Sequence, residues 1–358
     1  MTQNRSYYGL TIQLVGLSVV IALAPHLRAQ WLPQKSGTDA RLRGLCVVDA
    51  HVVWASGTKG TYLRTSDGGK TWKARVVPGA SELDFRDVHA LDGRTAHLLA
   101  IGAGNKSRIY RTTDGGETWA VSFQNRDPSG FLDALAFWNA DHGIALGDPI
   151  RGRFMILTTD DGGVSWKRQP GTALPPVVAG EGAFAASGTC LVVQGDRNVW
   201  FGTGGGKVAR VFRSVDRGRS WTVHETPVRA GNASSGIFSL AFRDADDGAA
   251  IGGDYKQPEQ FDHIVARSTD GGRSWSTASG PGPRGYRSCI AIVPDTAGKT
   301  VIAVGPSGSD FSTDGGARWQ SMGELGFHAV GFAGPIDAGW AVGDNGLIAK
   351  FQGTLERR

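Results

Sequence analysis

The sequence predicts an all-β fold, a single seven-bladed β-propeller built from four-stranded antiparallel blades. Three observations support this prediction: an eight-residue pattern recurs six times, its copies lie 44 to 55 residues apart, and short apolar runs separated by turn residues fill the intervals. Four short strands in about 40–50 residues are typical of one propeller blade. The 329 residues after position 29 hold seven units of 47 residues, so one blade lacks the pattern.

Each copy of the pattern (an octet) starts with Ser or Thr, carries Asp at its third position and Gly at its fifth, and ends with Trp. It matches the Asp-box, also called the BNR repeat. Asp close to Gly favours a tight turn, since Asp bonds nearby backbone amides and Gly accepts a positive φ. The Trp ring is suited to packing between blades. We therefore assign a structural role, and no catalysis, to these residues: Asp67, Asp114, Asp161, Asp216, Asp270, Asp314, Trp72, Trp119, Trp166, Trp221, Trp275 and Trp319.

The two ends of the chain are predicted to supply the blade without an octet. Residues 327–351 contain three apolar runs, and residues 30–35 resemble the strand that follows an octet elsewhere. We therefore expect the N-terminal strand to join the last blade as its outer strand, with Trp31 beside Phe351. Such closure would leave no open sheet edge in the ring. A six-bladed ring with a C-terminal extension is the alternative.

Residues 1–29 are predicted to be a signal peptide rather than part of the fold. Arg5 precedes a mostly apolar stretch from Leu10 to Ala24, a pattern typical of secretion signals and short for a membrane span of about 20 residues. Leu27 stands where a small residue is preferred before cleavage, which leaves an uncleaved anchor as the alternative. The sequence predicts an exported protein, periplasmic or secreted, with its propeller at residues 30–353, a tail at 354–358 and no later membrane span.

The composition argues against several classes of protein. A chain with 40% hydrophobic residues and 11 Trp is too apolar for disorder, and 3 Cys are too few for a disulfide scaffold. A net charge of +5 without a run of Lys or Arg argues against nucleic-acid binding. Residues 202–206 lack the spacing of a dinucleotide fingerprint, and the His residues show no zinc pattern. We expect no cofactor, no metal and a monomer.

The cysteines are expected to remain unpaired. They fall on predicted first strands of blades one, four and six, which are not neighbours in the ring, so their Cα atoms should lie beyond the roughly 7 Å limit for a disulfide. The three residues are Cys46, Cys190 and Cys289.

One mouth of the central channel is the predicted site. In a propeller the first strand of each blade lines the channel, and its start shares a face with the loop between the second and third strands. Aligning the first strands places eight residues at that mouth: Arg43, Arg86, Asp87, Asp133, Phe238, Arg287, Ser288 and His328. The loops add five more: Asp148, Asp196, Asp254, Tyr255 and Asp344.

The arginines at this mouth suit an anionic group, because guanidinium forks bind carboxylates and phosphates. Alternatively, the Arg and Asp residues neutralise one another. The residues predicted to bind a ligand or partner are Arg43, Arg86, Arg287, His328, Asp254 and Tyr255.

An enzyme remains the alternative interpretation of the same mouth. Glycoside hydrolases use two carboxylates roughly 5–9.5 Å apart, and Asp87 and Asp133 on adjacent first strands are the candidate pair. Tyr286 beside Arg287 is a weak sign of a sialidase, but the Arg-Ile-Pro motif of that class is missing near the mature start and sialidases have six blades.

Over residues 30–353 the chain resembles the photosystem II stability/assembly-factor family, on the six octets and the pattern from Phe332 to Asp344. It is more distantly similar to sialidase-like and glycosyl hydrolase BNR-repeat proteins. The first resemblance implies a seven-bladed lumenal or periplasmic propeller that binds newly made membrane-protein subunits without catalysis. We therefore expect an exported, non-enzymatic propeller that binds a protein partner or an anionic ligand at the mouth. A carbohydrate-active glycoside hydrolase is the alternative.

Overall fold

The computed structural model describes residues 1–2, 29–334 and 336–355, which form seven four-stranded antiparallel sheets. The first strands of successive sheets contact one another, and the first strand of the seventh sheet contacts that of the first. The sheets are therefore the blades of a closed ring. This architecture confirms the predicted seven-bladed propeller and excludes the six-bladed alternative.

The strands run in chain order from the channel outward in the first six blades. Blades one to three contain β2 (Leu42–Val47), β3 (Val53–Gly57), β4 (Thr61–Thr65), β5 (Lys73–Val76), β6 (Asp84–Ala90), β7 (Ala96–Ile101), β8 (Arg108–Thr112), β9 (Ala120–Gln124), β10 (Leu132–Phe137), β11 (Gly143–Ile150), β12 (Arg153–Thr159) and β13 (Lys167–Arg168). Blades four to six contain β14 (Leu191–Gln194), β15 (Asn198–Gly202), β16 (Ala209–Ser214), β17 (Thr222–Thr226), β18 (Ser235–Phe242), β19 (Gly248–Asp254), β20 (Val265–Ser268), β21 (Ser276–Thr277), β22 (Cys289–Ile292), β23 (Val301–Gly305), β24 (Gly308–Ser312) and β25 (Gln320–Gly323). Blade seven contains β26 (Ala329–Phe332), β27 (Gly339–Val342), β28 (Ile348–Gln352) and, outermost, β1 (Gln30–Gln34).

Helical structure within the described ranges consists of three short 3₁₀ turns, Gly104–Lys106, Gly171–Ala173 and Asp344–Gly346. No helix in the part of the chain that the structure describes has the length and apolar character needed to cross a membrane. The predicted signal segment falls mostly on residues 3–28, which lie outside the described residues.

The ring is closed by β1, as the sequence predicted. This strand pairs antiparallel with β28, and Trp31 lies opposite Phe351 in the register. The Trp31 ring packs 5.4 Å from the Phe351 ring and 5.3 Å from that of Phe327. Its Nε1 donates to Ser309 Oγ of blade six at 3.1 Å. The N-terminal strand therefore stabilises both the last blade and its interface with the previous one.

The octets form the turns between the third and fourth strands. In the first copy, Thr65 Oγ1 donates to Asp67 Oδ1 at 2.8 Å and accepts from Gly69 N at 3.0 Å, while Asp67 Oδ1 accepts from Thr71 N at 2.9 Å. Equivalent bonds join Ser or Thr to Asp in the other five copies. In the fourth copy Arg217 replaces the first Gly and still adopts a φ of 61°. The backbone of the turn, rather than one residue type, is what repeats.

The hydrophobic core consists of layers between neighbouring blades. Trp119 of blade two meets Trp54 and Tyr62 of blade one edge-on, with ring centroids 6.2 and 5.1 Å apart. Trp319 of blade six packs in the cluster that contains Ile251 of blade five. These layers hold the first strands at fixed positions around the channel, because a close-packed interior resists deformation.

The connection from blade three to blade four departs from the repeat. Residues 169–190 separate β13 from β14, whereas residues 77–83 suffice between blades one and two. Its second part, residues 177–190 (the strap), is anchored by a buried ion pair between Glu181 and Arg210 of β16, with Nε to Oε1 at 2.8 Å. The strap then enters the channel, where Ser187 Oγ donates to the Ser288 carbonyl at 3.0 Å. It forms a floor below the predicted mouth.

Candidate functional site

A cavity of about 510 Å³ opens at the predicted mouth. Its walls come from the starts of first strands, from the strap and from the loop at residues 255–264. Seven of the residues that the sequence assigned to this mouth line it: Arg43, Arg86, Asp133, Asp148, Phe238, Tyr255 and His328. Its volume falls in the range of about 300–1,000 Å³ that is typical of small-ligand pockets.

Arg43 and Arg86 lie on one side of the cavity. Arg43 Nη1 donates to the Ala186 carbonyl of the strap at 3.3 Å, and its buried Nε has no hydrogen-bond partner among the described residues. Burial and the nearby Arg86 lower the pKa of Arg43 to about 10, so the Arg43 guanidinium is still cationic at neutral pH. Arg86 donates from Nε to Asp84 at 2.7 Å and from Nη1 to the Ala185 carbonyl at 2.8 Å. Arg43 therefore retains unused binding capacity.

His328 lies beside the arginines and is held by the last blade. Its Nε2 lies 3.1 Å from Asp344 Oδ1, the oxygen that also accepts from Arg41 Nε at 2.7 Å. Burial, with a contribution from Arg43, lowers the pKa of His328 to about 4. The imidazole is therefore neutral at physiological pH and adds no positive charge to the cavity.

Arg287 does not line the cavity, so its expected place at the mouth is corrected. Its side chain is 1% exposed and pairs with Asp310 of β24, with Nε to Oδ2 at 2.7 Å. Nη1 donates to the Tyr286 carbonyl at 2.9 Å and to Ser307 Oγ at 3.0 Å. These bonds turn the guanidinium into blade six, where it is part of the scaffold.

Two further expectations about the mouth are corrected in the same way. Asp254 is buried and holds the start of the loop at residues 255–264, accepting from Asn232 Nδ2 and Lys256 N at 2.9 Å each; its neighbour Tyr255 is the residue that reaches the cavity. Asp196 lies in the turn between β14 and β15, where its carbonyl accepts from Arg217 of the octet. It therefore belongs to the opposite face of the ring.

The two carboxyls considered for catalysis have different surroundings. Asp87 Oδ2 accepts from Leu135 N at 2.7 Å, and the strap covers its other side so closely that a Cβ added to Gly188 would meet Oδ1 at 2.1 Å. Burial raises the pKa of Asp87 to about 7. Asp87 does not line the cavity, so the expected Asp87–Asp133 catalytic pair does not face one substrate-sized space.

Asp133 lines the cavity with its hydrogen-bonding capacity unused. The residue is 1% exposed, and neither carboxyl oxygen has a hydrogen-bond partner within the described ranges. Burial, reinforced by Asp148 of the next strand, raises the pKa of Asp133 well above its usual value. Such an orphaned, strongly shifted group in a cavity is typical of a binding or catalytic site rather than of a scaffold.

Aromatic rings form the opposite side of the cavity. Phe184 of the strap stacks on Phe238 of blade five with centroids 4.0 Å apart and planes 9° apart, and Tyr286 meets Phe238 edge-on at 4.8 Å. Tyr255 stands above them and is 47% exposed. The charged side chains of the cavity thus come from blades one to three, together with the apolar Ile101 and Phe131, and the aromatic cluster comes from the strap and blades five and six.

Sequence reasoning missed the strap, although it supplies the floor and one ring of the site. The signal that pointed to it is the interval of 55 residues between the third and fourth octets, longer than the 47 before it. The next interval is almost as long, 54 residues, so length pointed to two candidate insertions, and long insertions in a repeat often carry functional loops.

No group of three or more His, Cys, Asp or Glu side chains in the described ranges is arranged to hold a metal ion. The cysteines are free, and burial raises the pKa of the Cys46 thiol to about 11. A buried thiol of raised pKa is chemically inert.

Comparison with known proteins supports the fold. No protein-family model matches the chain, and no curated protein sequence matches it. Among solved structures, YCF48 bound to a D1 peptide superposes with a TM-score of 0.63 at 17% identity, covering 90% of this chain and 97% of that one. YCF48 from Cyanidioschyzon merolae gives 0.63 at 19% identity, with 91% and 99% covered.

A GH74 enzyme from Niastella koreensis superposes with a TM-score of 0.60 at 15% identity, and covers 88% of this chain. An ancestral GH74 enzyme gives 0.63 at 13% identity, with 90% covered. This chain spans only about half of each GH74 chain, 53% and 47%. Identities this low show a shared propeller fold, and the expected likeness to the assembly-factor and glycosyl hydrolase propellers is confirmed at that level.

Proposed function

We propose that this protein is an exported, non-enzymatic propeller that binds a protein partner at the channel mouth, as an assembly factor or scaffold does. The observation that carries the proposal is the cavity: it holds orphaned polar groups below a rim of exposed apolar side chains. Buried polar groups without partners are costly, so their retention favours a bound state that satisfies them.

The rim supports a protein as the partner. Tyr255 and Phe261 stand in the loop at residues 255–264, and Leu325 stands in the connection from β25 to β26, on the same face. Phe261 is 70% exposed. Exposed aromatic side chains around a polar pocket are typical of protein-binding surfaces, and one structural neighbour is bound to a peptide.

Site-specific cross-linking tests the proposal. A photo-reactive amino acid at Phe261 should form adducts with a partner in periplasmic extract of the source organism, and the same group at Val164 should not. Val164 is the matched control, because it is 58% exposed and lies on an octet turn at the opposite face. Arg43→Ala and Arg86→Ala should reduce the Phe261 adduct at least several-fold, whereas Arg75→Ala on the outer strand should leave it unchanged.

Equal adducts from both positions, or a Phe261 adduct that ignores the mouth variants, would reject partner binding at this face. The glycoside hydrolase interpretation has less support, because Asp87 lies under the strap. Glycoside release by the protein that is lost in Asp133→Asn would revive that interpretation.

A further inference from the structure

The cavity leaves two groups of opposite charge type unsatisfied. Neither oxygen of Asp133, nor Nε of Arg43, has a hydrogen-bond partner in the described part of the chain. A ligand that satisfies both must therefore offer donors to the carboxyl and acceptors to the guanidinium at the same time.

The order of the blades fixes where these groups stand. Arg43, Arg86 and Asp133 occupy the first strands of blades one, two and three, which follow one another around the ring, and Asp148 is on the strand next to Asp133. Cationic donors and carboxyl acceptors are thus neighbours on one side of the cavity. A ligand that meets both needs its negative and positive groups close together.

The stacked rings come from the other blades and from the strap. Phe238 belongs to blade five, and Tyr286 directly precedes β22 of blade six, across the channel from blade two. Phe184 of the strap extends this apolar wall by stacking on Phe238. The far end of the ligand must therefore be apolar, and a flat or branched hydrocarbon group suits stacked rings.

We infer that the cavity binds a free α-amino acid with an apolar side chain: its carboxylate bonds Arg43 and Arg86, its ammonium group bonds Asp133, and its side chain packs against Phe184 and Phe238. An α-amino acid carries both charged groups on one carbon and its apolar group on the other side of that carbon, which is the distribution that the blades present. The ammonium group also offsets the burial of the Asp133 carboxyl.

Simpler ligands leave part of the cavity unsatisfied. A plain carboxylate would meet Arg43 but has no hydrogen to donate to the oxygens of Asp133, and an amine would do the reverse. The inference goes beyond the proposed partner binding and shares with it the position of the site and the unpartnered groups of Arg43 and Asp133.

Titration calorimetry of the full protein with three compounds that share one phenylethyl skeleton tests the inference. L-Phenylalanine has both charged groups, 3-phenylpropionate lacks the ammonium group, and 2-phenylethylamine lacks the carboxylate. We expect L-phenylalanine to bind at least ten-fold more tightly than either of the others. Equal affinities, or no binding of L-phenylalanine at millimolar concentration, would overturn the inference.

Two variants assign the charged groups to residues. Asp133→Asn should weaken L-phenylalanine binding ten-fold or more and leave 3-phenylpropionate unaffected, whereas Arg43→Gln should weaken L-phenylalanine and leave 2-phenylethylamine unaffected. Asp246→Asn and Arg75→Gln are matched exposed controls away from the mouth and should change nothing. Equal loss with all three compounds in either variant would contradict the assignment.

The outcomes separate this inference from the proposed function. Failed titrations with persistent cross-links at Phe261 would remove the amino-acid site and leave partner binding standing. Successful titrations without those cross-links would support the site and reject the partner. The three-compound series needs only the native protein, so the inference stays testable even if a variant fails to fold.

Discussion

The octet turns and the channel mouth both contain Asp, but its carboxyl group has opposite effects on stability in the two regions. Each octet Asp accepts bonds from its own turn, and these bonds lower the pKa of Asp67 and Asp161 to about 2. At the mouth, burial without such bonds raises the pKa of Asp133 well above its usual value. A satisfied carboxylate stabilises the fold, whereas an orphaned one costs stability.

The contrast teaches how to separate scaffold from site in a repeat protein. The octets recur six times with one bonding pattern, in which the Ser or Thr and the Asp bond within their own turn. The mouth uses residues that differ from blade to blade, together with the strap, which has no counterpart in the other blades described. Repetition therefore marks what the fold needs, and departure from repetition marks what recognition needs.

The largest expected effect distinguishes Arg287 from Arg43, two arginines that the sequence assigned to the same mouth. Asp310→Ala should destabilise the fold by about 3–5 kcal/mol, because it leaves the Arg287 cation buried and unpaired. Arg43→Met keeps an apolar stem and should change the free energy of unfolding by less than about 1 kcal/mol. Urea denaturation measures both. A small loss for Asp310→Ala would mean that Arg287 is not part of the scaffold.

The next effect is the pH dependence of stability, which should have opposite slopes in the two regions. The folded-state pKa of Asp87 is raised to about 7. The stability that its protonated form contributes is therefore fully present below about pH 4 and is lost as pH rises toward 7. Asp67 and Asp161 of the octets have lowered pKa values, so their contribution to stability is present above about pH 4 and is lost as pH falls toward 2.

Urea midpoints between pH 2 and 8 test these slopes. Asp87→Asn keeps the acceptor for Leu135 N and removes the ionisation, so the decline between pH 4 and 7 should become shallower. Asp67→Asn should alter the profile only below about pH 4. An unchanged slope in Asp87→Asn would show that the fold does not hold this carboxyl protonated.

The fold was predictable because its determinants are local and repeated. Each octet carries its turn in eight residues, the interval between octets predicted the number of blades, and the apolar runs at the two chain ends predicted the closure by Trp31. The alignment of first strands also brought Arg43, Asp133 and His328 to one cavity. These positions follow from chain order alone, since strand starts in a propeller share one face.

The errors concern residues whose partners are distant or irregular. Arg287 looked like a mouth residue because its partner Asp310 stands 23 positions away on β24. Asp196 was assigned to the wrong turn, since blade four has a short first strand after the strap. The strap itself contains no octet, helix or strand, and its one isolated bridge joins Gly182 to Gly204. Its path through the channel depends on tertiary contacts that no local pattern encodes.

A smaller effect on stability is expected from removing one polar side chain in an octet and one at the channel mouth. Thr112→Val removes the donor to Asp114 Oδ1 and the acceptor for Gly116 N, at 2.8 and 3.0 Å, and should cost about 1–2 kcal/mol. Asp133→Leu removes two orphaned oxygens and should raise stability by about 1 kcal/mol, the usual sign of a site kept for function. Thermal unfolding measures both, and a destabilised Asp133→Leu would show that the carboxyl is structural.

The smallest expected changes in stability come from two exposed side chains, one on each face, of which only one is predicted to bind a partner. Phe261→Ser and Val164→Ser both alter exposed side chains, one on each face, and each should change the free energy of unfolding by less than about 0.5 kcal/mol. Only Phe261→Ser should weaken affinity for a cross-linked partner once that partner is identified, because aromatic side chains that an interface buries carry much of its binding energy. Equal affinity in the two variants would mean that the 255–264 loop is exposed without being used, and recognition would then rest on the cavity below it.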